Sequence, residues 1–440
     1  MSKPLTFNLK QHTPMLHFQA SQQGATLRAS DVKPRFDRWL IDNKIAGNDL
    51  SEKFANCKQY LIGYPGDPEE KGLSEKVKSE RKRAISLLKK KFESGFRALN
   101  YKMRISICSD NKDVLNGVPM YFARNAEPIF NQDALKLEIL PLCQFNELKE
   151  ENLREFFNTF NFGTRSSKGY GSFTDSNDIK GIIDEFKNEK KYYYFTFKGK
   201  DVNDVFKRIE LLYRAMRSGI NDDDMYFKSL MYVYAQKKND AWDKKTIKDY
   251  FLNNKASDNG KDYRDCLGFS SYQSWSYYGV SHSRQFTVGE TNANKPVYYN
   301  RYPSTILFKP IFNEGIWYVF IIPQKLNETY SKAEVKVSIR SLTDREAKKN
   351  EKYRKLREDY INDKLLDDNK DVIKNAAIKL KMDPEFSVQN YLDFIFKSDD
   401  VKISELFSKE HPDTKKKYDL QTPRAVLLSE VIADIRNNKK

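Results

Sequence analysis

The stretch Leu153-Arg154-Glu155-Phe156-Phe157-Asn158-Thr159-Phe160-Asn161-Phe162-Gly163-Thr164-Arg165-Ser166-Ser167-Lys168-Gly169-Tyr170-Gly171 decides how the first half of this chain is read. Leu153, Phe156, Phe157 and Phe160 recur at i, i+3, i+4 and i+7, the spacing of a helix with one buried face. The helix runs straight into a loop with three glycines in nine residues. Glycine has no Cβ to hold a backbone away from a ligand, so the N–H groups of such a loop can line a polyanion. Arg165 and Lys168 add positive charge, and Tyr170 adds a flat face on which a base can stack. An ordinary surface loop with a basic content has the same composition, so the surroundings of the loop must decide.

Working outward, Leu5, Phe7 and Leu9 alternate with polar residues, as in a half-buried strand that Thr13-Pro14 ends. Ser30 or Asp31 can cap a following helix. Pro34 is tolerated in its first turn, and Val32, Phe36, Trp39 and Leu40 form its apolar face. Residues 74–93 read as a basic amphipathic helix. Met103, Ile105 and Ile107 alternate again, as do Leu135, Leu137 and Ile139, giving a second and a third strand. The run Tyr192–Phe197 supplies a fourth, unless it opens a second domain. Apart from the inserted helix, the order is β-α-β-β-α-β, that of a ferredoxin-like domain and of RNA-recognition modules. It places the glycine loop between the second helix and the fourth strand.

The second half is less regular. Val202, Val205, Phe206, Ile209, Leu212, Tyr213 and Met216 make one helical face. Residues 225–255 read as charged helix and residues 257–300 as long loops. Ser304–Phe312 and Ile316–Ile322 form a hairpin around Asn313-Glu314-Gly315. A charged helix is expected from Leu342 to about Leu366. The expected class is α+β: tandem ferredoxin-like (RRM-like) domains with helical insertions and a helical C-terminal region. The expected boundaries are 1–198, 199–341 and 342–440.

At 440 residues the chain exceeds one ordinary domain, and a hydrophobic fraction of 39% allows real cores. The net charge of +16 is spread along the whole length, which favours a folded protein with a positive surface and a nucleic-acid partner. The N-terminus has no signal-peptide core, and no run of about 18 apolar residues exists to span a membrane. Cys57, Cys108, Cys143 and Cys266 are scattered, which fits a reducing cytoplasm and neither a zinc site nor a disulfide framework. Four histidines, His12, His17, His282 and His411, make metal chemistry unexpected. No cofactor is expected.

Three segments carry chemistry: the glycine loop, the helix start Leu27–Trp39, and Asn300–Pro310. In the second, Arg28 precedes the helix while Lys33, Arg35 and Arg38 lie on or beside it, and cations at a helix N-terminus suit a phosphate. The same residues also suit a solvated face with Asp37 paired locally. In the third, Arg301 precedes a strand that looks buried.

Thr13-Pro14, Gly24-Ala25-Thr26-Leu27-Arg28 and Val32–Trp39 together resemble the start of the repeat-associated mysterious proteins (RAMPs), RNA-binding subunits of CRISPR–Cas effector complexes. Gly163–Phe173 is similar to that superfamily's glycine-rich loop, and Arg301–Pro310 to a late segment in which Thr305 here replaces a proline. Lys33-Pro34 stands where many relatives have lysine-glycine. Within the superfamily the likeness is greatest to the subunit-one family of the Cmr (type III-B) complex. The resemblance covers roughly residues 1–175 and 300–323. It implies a non-catalytic subunit, with no metal, that holds guide RNA near its 3′ end and helps admit target RNA. Arg28, Lys33, Arg35 and Arg38 would contact RNA. Gly163, Arg165, Lys168, Gly169 and Gly171 would cradle a phosphate, with Tyr170 stacking or packing beside it and Arg301 an outlying contact. Other subunits would cover the aromatic region 269–302, with Tyr272, Trp275, Tyr277 and Tyr278. Two alternatives share the superfamily. One is a guide-processing endoribonuclease using His12 or His17. The other is a target-slicing subunit using Asp31. A structured-RNA-binding protein unrelated to CRISPR is a third.

Overall fold

A computed structural model describes residues 4–16, 27–107, 112–114, 129–131, 134–240, 261, 263–270, 274–277, 280–290, 296–299, 301–325, 334–342, 377–381, 383, 385–410 and 416–438. The chain divides into two compact units. The first comprises Met1–Glu189, Phe197–Phe206 and Lys309–Val319, and the second Lys190–Thr196, Lys207–Phe308 and Phe320–Lys440.

The first unit opens with β1 (Leu5–Gln11), α1 (Ala29–Asn43), α2 (Leu50–Cys57) and α3 (Glu75–Glu93). There follow β2 (Tyr101–Ile107), the short pair β3 (Lys112–Val114) and β4 (Ile129–Asn131), and β5 (Leu135–Pro141). It continues through α4 (Glu150–Thr159), β6 (Phe173–Asp175) and α5 (Ile179–Asn188). Four strands form one antiparallel sheet in the order β2-β5-β1-β6. In β1, Phe7 and Leu9 are buried and alternate with Thr6, Asn8 and Lys10, so one face of the sheet points inward. That face meets α1 and α4 through Phe36, Phe156 and Phe157, with Phe36 and Phe156 ring centroids 5.0 Å apart. Helix α3 begins where expected, with the Ser74 side chain accepting from the Val77 N–H, and only Leu88 and Phe92 of it are buried.

Two details of this unit depart from expectation. The N-cap of α1 is Arg28, without a side-chain cap, and Asp31 lies in the first turn. The fourth strand of the sheet is Phe173–Asp175, directly after the glycine loop, and not Tyr192–Phe197. Three residues are too short for a two-residue period to be legible. The Tyr192–Phe197 run instead gives β7 (Tyr193–Lys198), in a three-stranded sheet with Ile306–Asn313 and Ile316–Pro323. Glu314 (φ 49°) and Gly315 (φ 80°) turn the expected hairpin, the two positive φ values that a tight two-residue turn requires.

Helix α6 (Val202–Arg217) has the expected apolar face, buried except at Tyr213. In the second unit, the described part of the helix expected over 225–255 is helical only from Leu230 to Lys237. Strand Tyr226–Phe227 precedes α7 (Leu230–Lys237), and 241–260 lie outside the described residues. Where loops are expected over 257–300, most of the described residues are strand. Ser274–Tyr277, Val280–Glu290, Pro296–Tyr299, Glu334–Leu342 and Ala377–Lys381 form one sheet. Ser, Thr and Tyr suit a strand as well as a loop, and the partners are distant in sequence, with Val280 opposite Leu342. The helix expected after Leu342 lies outside the described residues.

Candidate nucleic-acid interface

The glycine loop is fastened to the end of β1. The Thr13 hydroxyl donates to Gly169 O (2.6 Å) and accepts from Ser172 N–H (3.0 Å). Gly171 N–H donates to Pro14 O (2.9 Å) and Thr164 N–H to Leu16 O (2.8 Å). A buried Thr-Pro segment thus clasps both limbs of the loop. Two of the glycines are explained by this closeness. A Cβ on Gly171 (φ 64°) would lie 2.0 Å from Phe162 O, and one on Gly163 (φ 79°) 2.7 Å from Leu16 O. They admit the protein's own backbone at these positions. Arg165 itself holds a positive φ of 56°, and Lys168 N–H and Gly169 N–H close turns onto Arg165 O and Ser166 O.

Tyr170 is 1% exposed and stacks on Phe206 at 3.9 Å, with the Arg165 guanidinium 5.4 Å from its ring centre. A ring so covered has no face for a base, which leaves Tyr170 the packing role. Arg165 and Lys168 remain part-exposed.

Helix α1 brings one expected arginine to this loop. The exposed Arg35 donates to Asn161 O (3.3 Å) and lies over the Phe162 ring, while Asn161 Nδ2 donates to Ser166 O (2.8 Å). Arg38 is exposed one turn on, its Nε toward Pro34 O at 3.4 Å. Arg28 is half-buried at the N-cap. Lys33 turns inward. It bonds Asp37 (2.7 Å) and Leu99 O (2.9 Å) and sits 4.1 Å from the Tyr101 ring centre. Asp37 also accepts from Tyr101 Oη (2.6 Å) and Leu99 N–H (3.2 Å). Burial pushes the Asp37 carboxyl up, against the pull of Lys33. Lys33 is therefore a structural cation. Arg301 belongs to the second unit, in a two-residue strand opposite Phe269–Ser270, and its side chain lies outside the described residues. Gly24–Thr26, His17, Tyr272 and Tyr278 also lie outside them.

Two buried groups lie below the loop: Lys309, which the sequence did not single out, and His12, expected there only as a catalytic candidate. Lys309 is fully buried and donates to Phe157 O (2.7 Å), Phe160 O (2.9 Å) and Phe173 O (2.8 Å). Three acceptors call for three N–H donors, the ammonium form, placed where the α4 dipole favours a cation. Burial alone presses its pKa well below the ordinary lysine value. The only signal in the sequence is one lysine inside the apolar run Thr305–Ile311. His12 is also buried. Its Nδ1 accepts from Phe312 N–H (3.1 Å), so its Nε2 carries the hydrogen toward Thr174 Oγ1 at 2.7 Å. Burial first, then the charges of Lys309 and Lys10, push the His12 pKa down to about 3. Both ring nitrogens are engaged and the ring is neutral. No group of three metal-ligating side chains occurs among the described residues.

The geometry defines a two-unit α+β protein whose cation-flanked glycine loop is locked to a Thr-Pro clasp. Residues 2–220 match the family model of the Cmr1 N-terminal domain, and residues 226–419 that of the Cmr1 C-terminal domain. The chain therefore belongs to the Cmr1 family, RAMP subunits of the type III-B CRISPR effector complex. No curated protein matches it. Among the described residues, no helix is long and apolar enough to cross a membrane.

Proposed function

We propose that this subunit binds RNA without cutting it: in the cytoplasm it holds guide RNA near its 3′ end and helps capture target RNA. The first unit is read as a ferredoxin-like domain, because its strands lie in the order second, third, first, fourth along the sheet. The observation that carries the RNA reading is the meeting of Arg35, Arg165 and Lys168 around one rigid loop, linked through Asn161. Glycines packed on the chain's own backbone make that loop stiff, so its cations are held in place before RNA arrives. Such binding is electrostatic and tolerates any guide sequence.

The test is RNA affinity against salt. On a single strand the log–log slope falls by about 0.7 for each phosphate that is no longer neutralised. Arg165→Ala with Lys168→Ala should lower the slope by about 1.4. An unchanged slope and affinity would remove the loop from the interface. Nothing favours the cleaving alternative at His12, because a general base needs a ring nitrogen within reach of the 2′-hydroxyl.

A further inference from the structure

The sheet of the first unit has a second face, turned away from α1 and α4. On its three long strands the outward positions alternate with the buried Phe7, Leu9, Leu135, Leu137 and Ile139. RNA-recognition sheets use such a face to stack bases on aromatic rings. Here those outward positions carry no aromatic side chain, and they hold Lys10, Lys102, Arg104 and Lys136.

The register sets these four cations on a diagonal. Asn8 of β1 faces Lys136 of β5, so Lys10 lies two residues along from the position opposite Lys136. Lys136 faces Ser106 of β2, which runs parallel to β1, so Arg104, two residues back from Ser106, lies on the other side of Lys136 from Lys10 and continues the diagonal. Diagonal neighbours of this kind are about 7–8 Å apart. Lys102 follows on the same face of β2, about 7 Å further on. The row begins three residues before the Thr13 clasp of the glycine loop and ends on the outer strand β2. Lys102 and Arg104 are exposed. The one acidic side chain among them, Glu138, bonds Lys136 at 2.7 Å and is held by it below the usual carboxylate range.

We infer that this row is a track for the sugar–phosphate backbone of single-stranded RNA, continuing from the glycine loop across the sheet to β2. Steps of this size suit successive phosphates of an extended strand, and the lack of rings leaves the bases unread. The track rests on the RNA reading above and extends it to a second surface. An acidic protein face is the competing occupant for the same charges.

The test uses the full chain and labelled oligouridines, one of about 20 nucleotides and one of about 5, the smaller close to the lower end of single-strand site sizes. Lys102→Glu with Arg104→Glu is compared with Lys76→Glu plus Arg83→Glu, an equal charge change on the exposed side of α3. The sheet variant should weaken the long oligomer roughly tenfold at 0.15 M salt and flatten its salt slope by about 1.4. Short-oligomer binding should stay within about twofold, and the α3 variant should change the long oligomer by less than about threefold. Equal effects of the two variants would overturn the track. So would a sheet variant that loses only polyglutamate binding, which would assign the face to an acidic protein. Wild-type protein that binds neither oligomer would sink the RNA reading itself; wild-type binding with an indifferent sheet variant would sink the track alone.

Discussion

Lowering the pH tests the buried histidine beneath the loop. His12 is neutral in the folded state, with its pKa pushed down to about 3, whereas in the unfolded chain it titrates near 6.5. Between those values the unfolded state binds the extra proton, so stability rises with pH. The contribution is complete above about pH 6.5, is lost as the pH falls through the window, and is flat below about pH 3. At pH 4 the loss amounts to about 3 kcal/mol. His12→Asn keeps an acceptor for the Phe312 N–H but cannot titrate, and so serves as reference. Urea unfolding at pH 7, 5.5 and 4 should show wild type losing about 3 kcal/mol more than the variant over that range. Hydrogen exchange at the Phe312 amide gives a local readout, because a protonated Nδ1 can no longer accept its hydrogen. Nitrogen shifts of the ring should show Nε2–H throughout. Lys309→Met should raise the His12 pKa without restoring 6.5, since burial is the larger cause. Parallel pH profiles for wild type and His12→Asn would refute the reasoning.

Three further outcomes follow from the loop and its supporting helix. Gly171→Ala sets a Cβ 2.0 Å from Phe162 O at a φ of 64°, and should cost about 3 kcal/mol and loosen the loop, measured by thermal unfolding and protease sensitivity. Lys33→Ala leaves Asp37 buried without its cation and should cost about 3 kcal/mol. Arg38→Ala should leave stability within about 0.5 kcal/mol while weakening RNA. If calorimetry and RNA titration reverse those two assignments, the division between structural and RNA-facing cations is wrong.

The sequence alone determined the α+β class, the helix that buries Leu153, Phe156 and Phe157, the strands of β1, β2 and β5, the hairpin at Glu314-Gly315 and the family. Each is a local matter: a period of two or 3.6 residues, a turn residue or a short motif reports which side chains face inward. It could not report what they face. The fourth strand is three residues long and exists because β1 offers an edge. The glycines of the loop looked like room for a ligand, and tertiary packing gave two of them to Phe162 and Leu16. Tyr170 looked like a stacking surface until Phe206 covered it, and Lys33 looked like a phosphate ligand until Asp37, Leu99 and Tyr101 claimed it. Lys309 became visible only when three carbonyls from residues far away in sequence met its ammonium. A cation looks the same in sequence whether it meets solvent, a phosphate or a buried carbonyl; only the chain brought around it decides which.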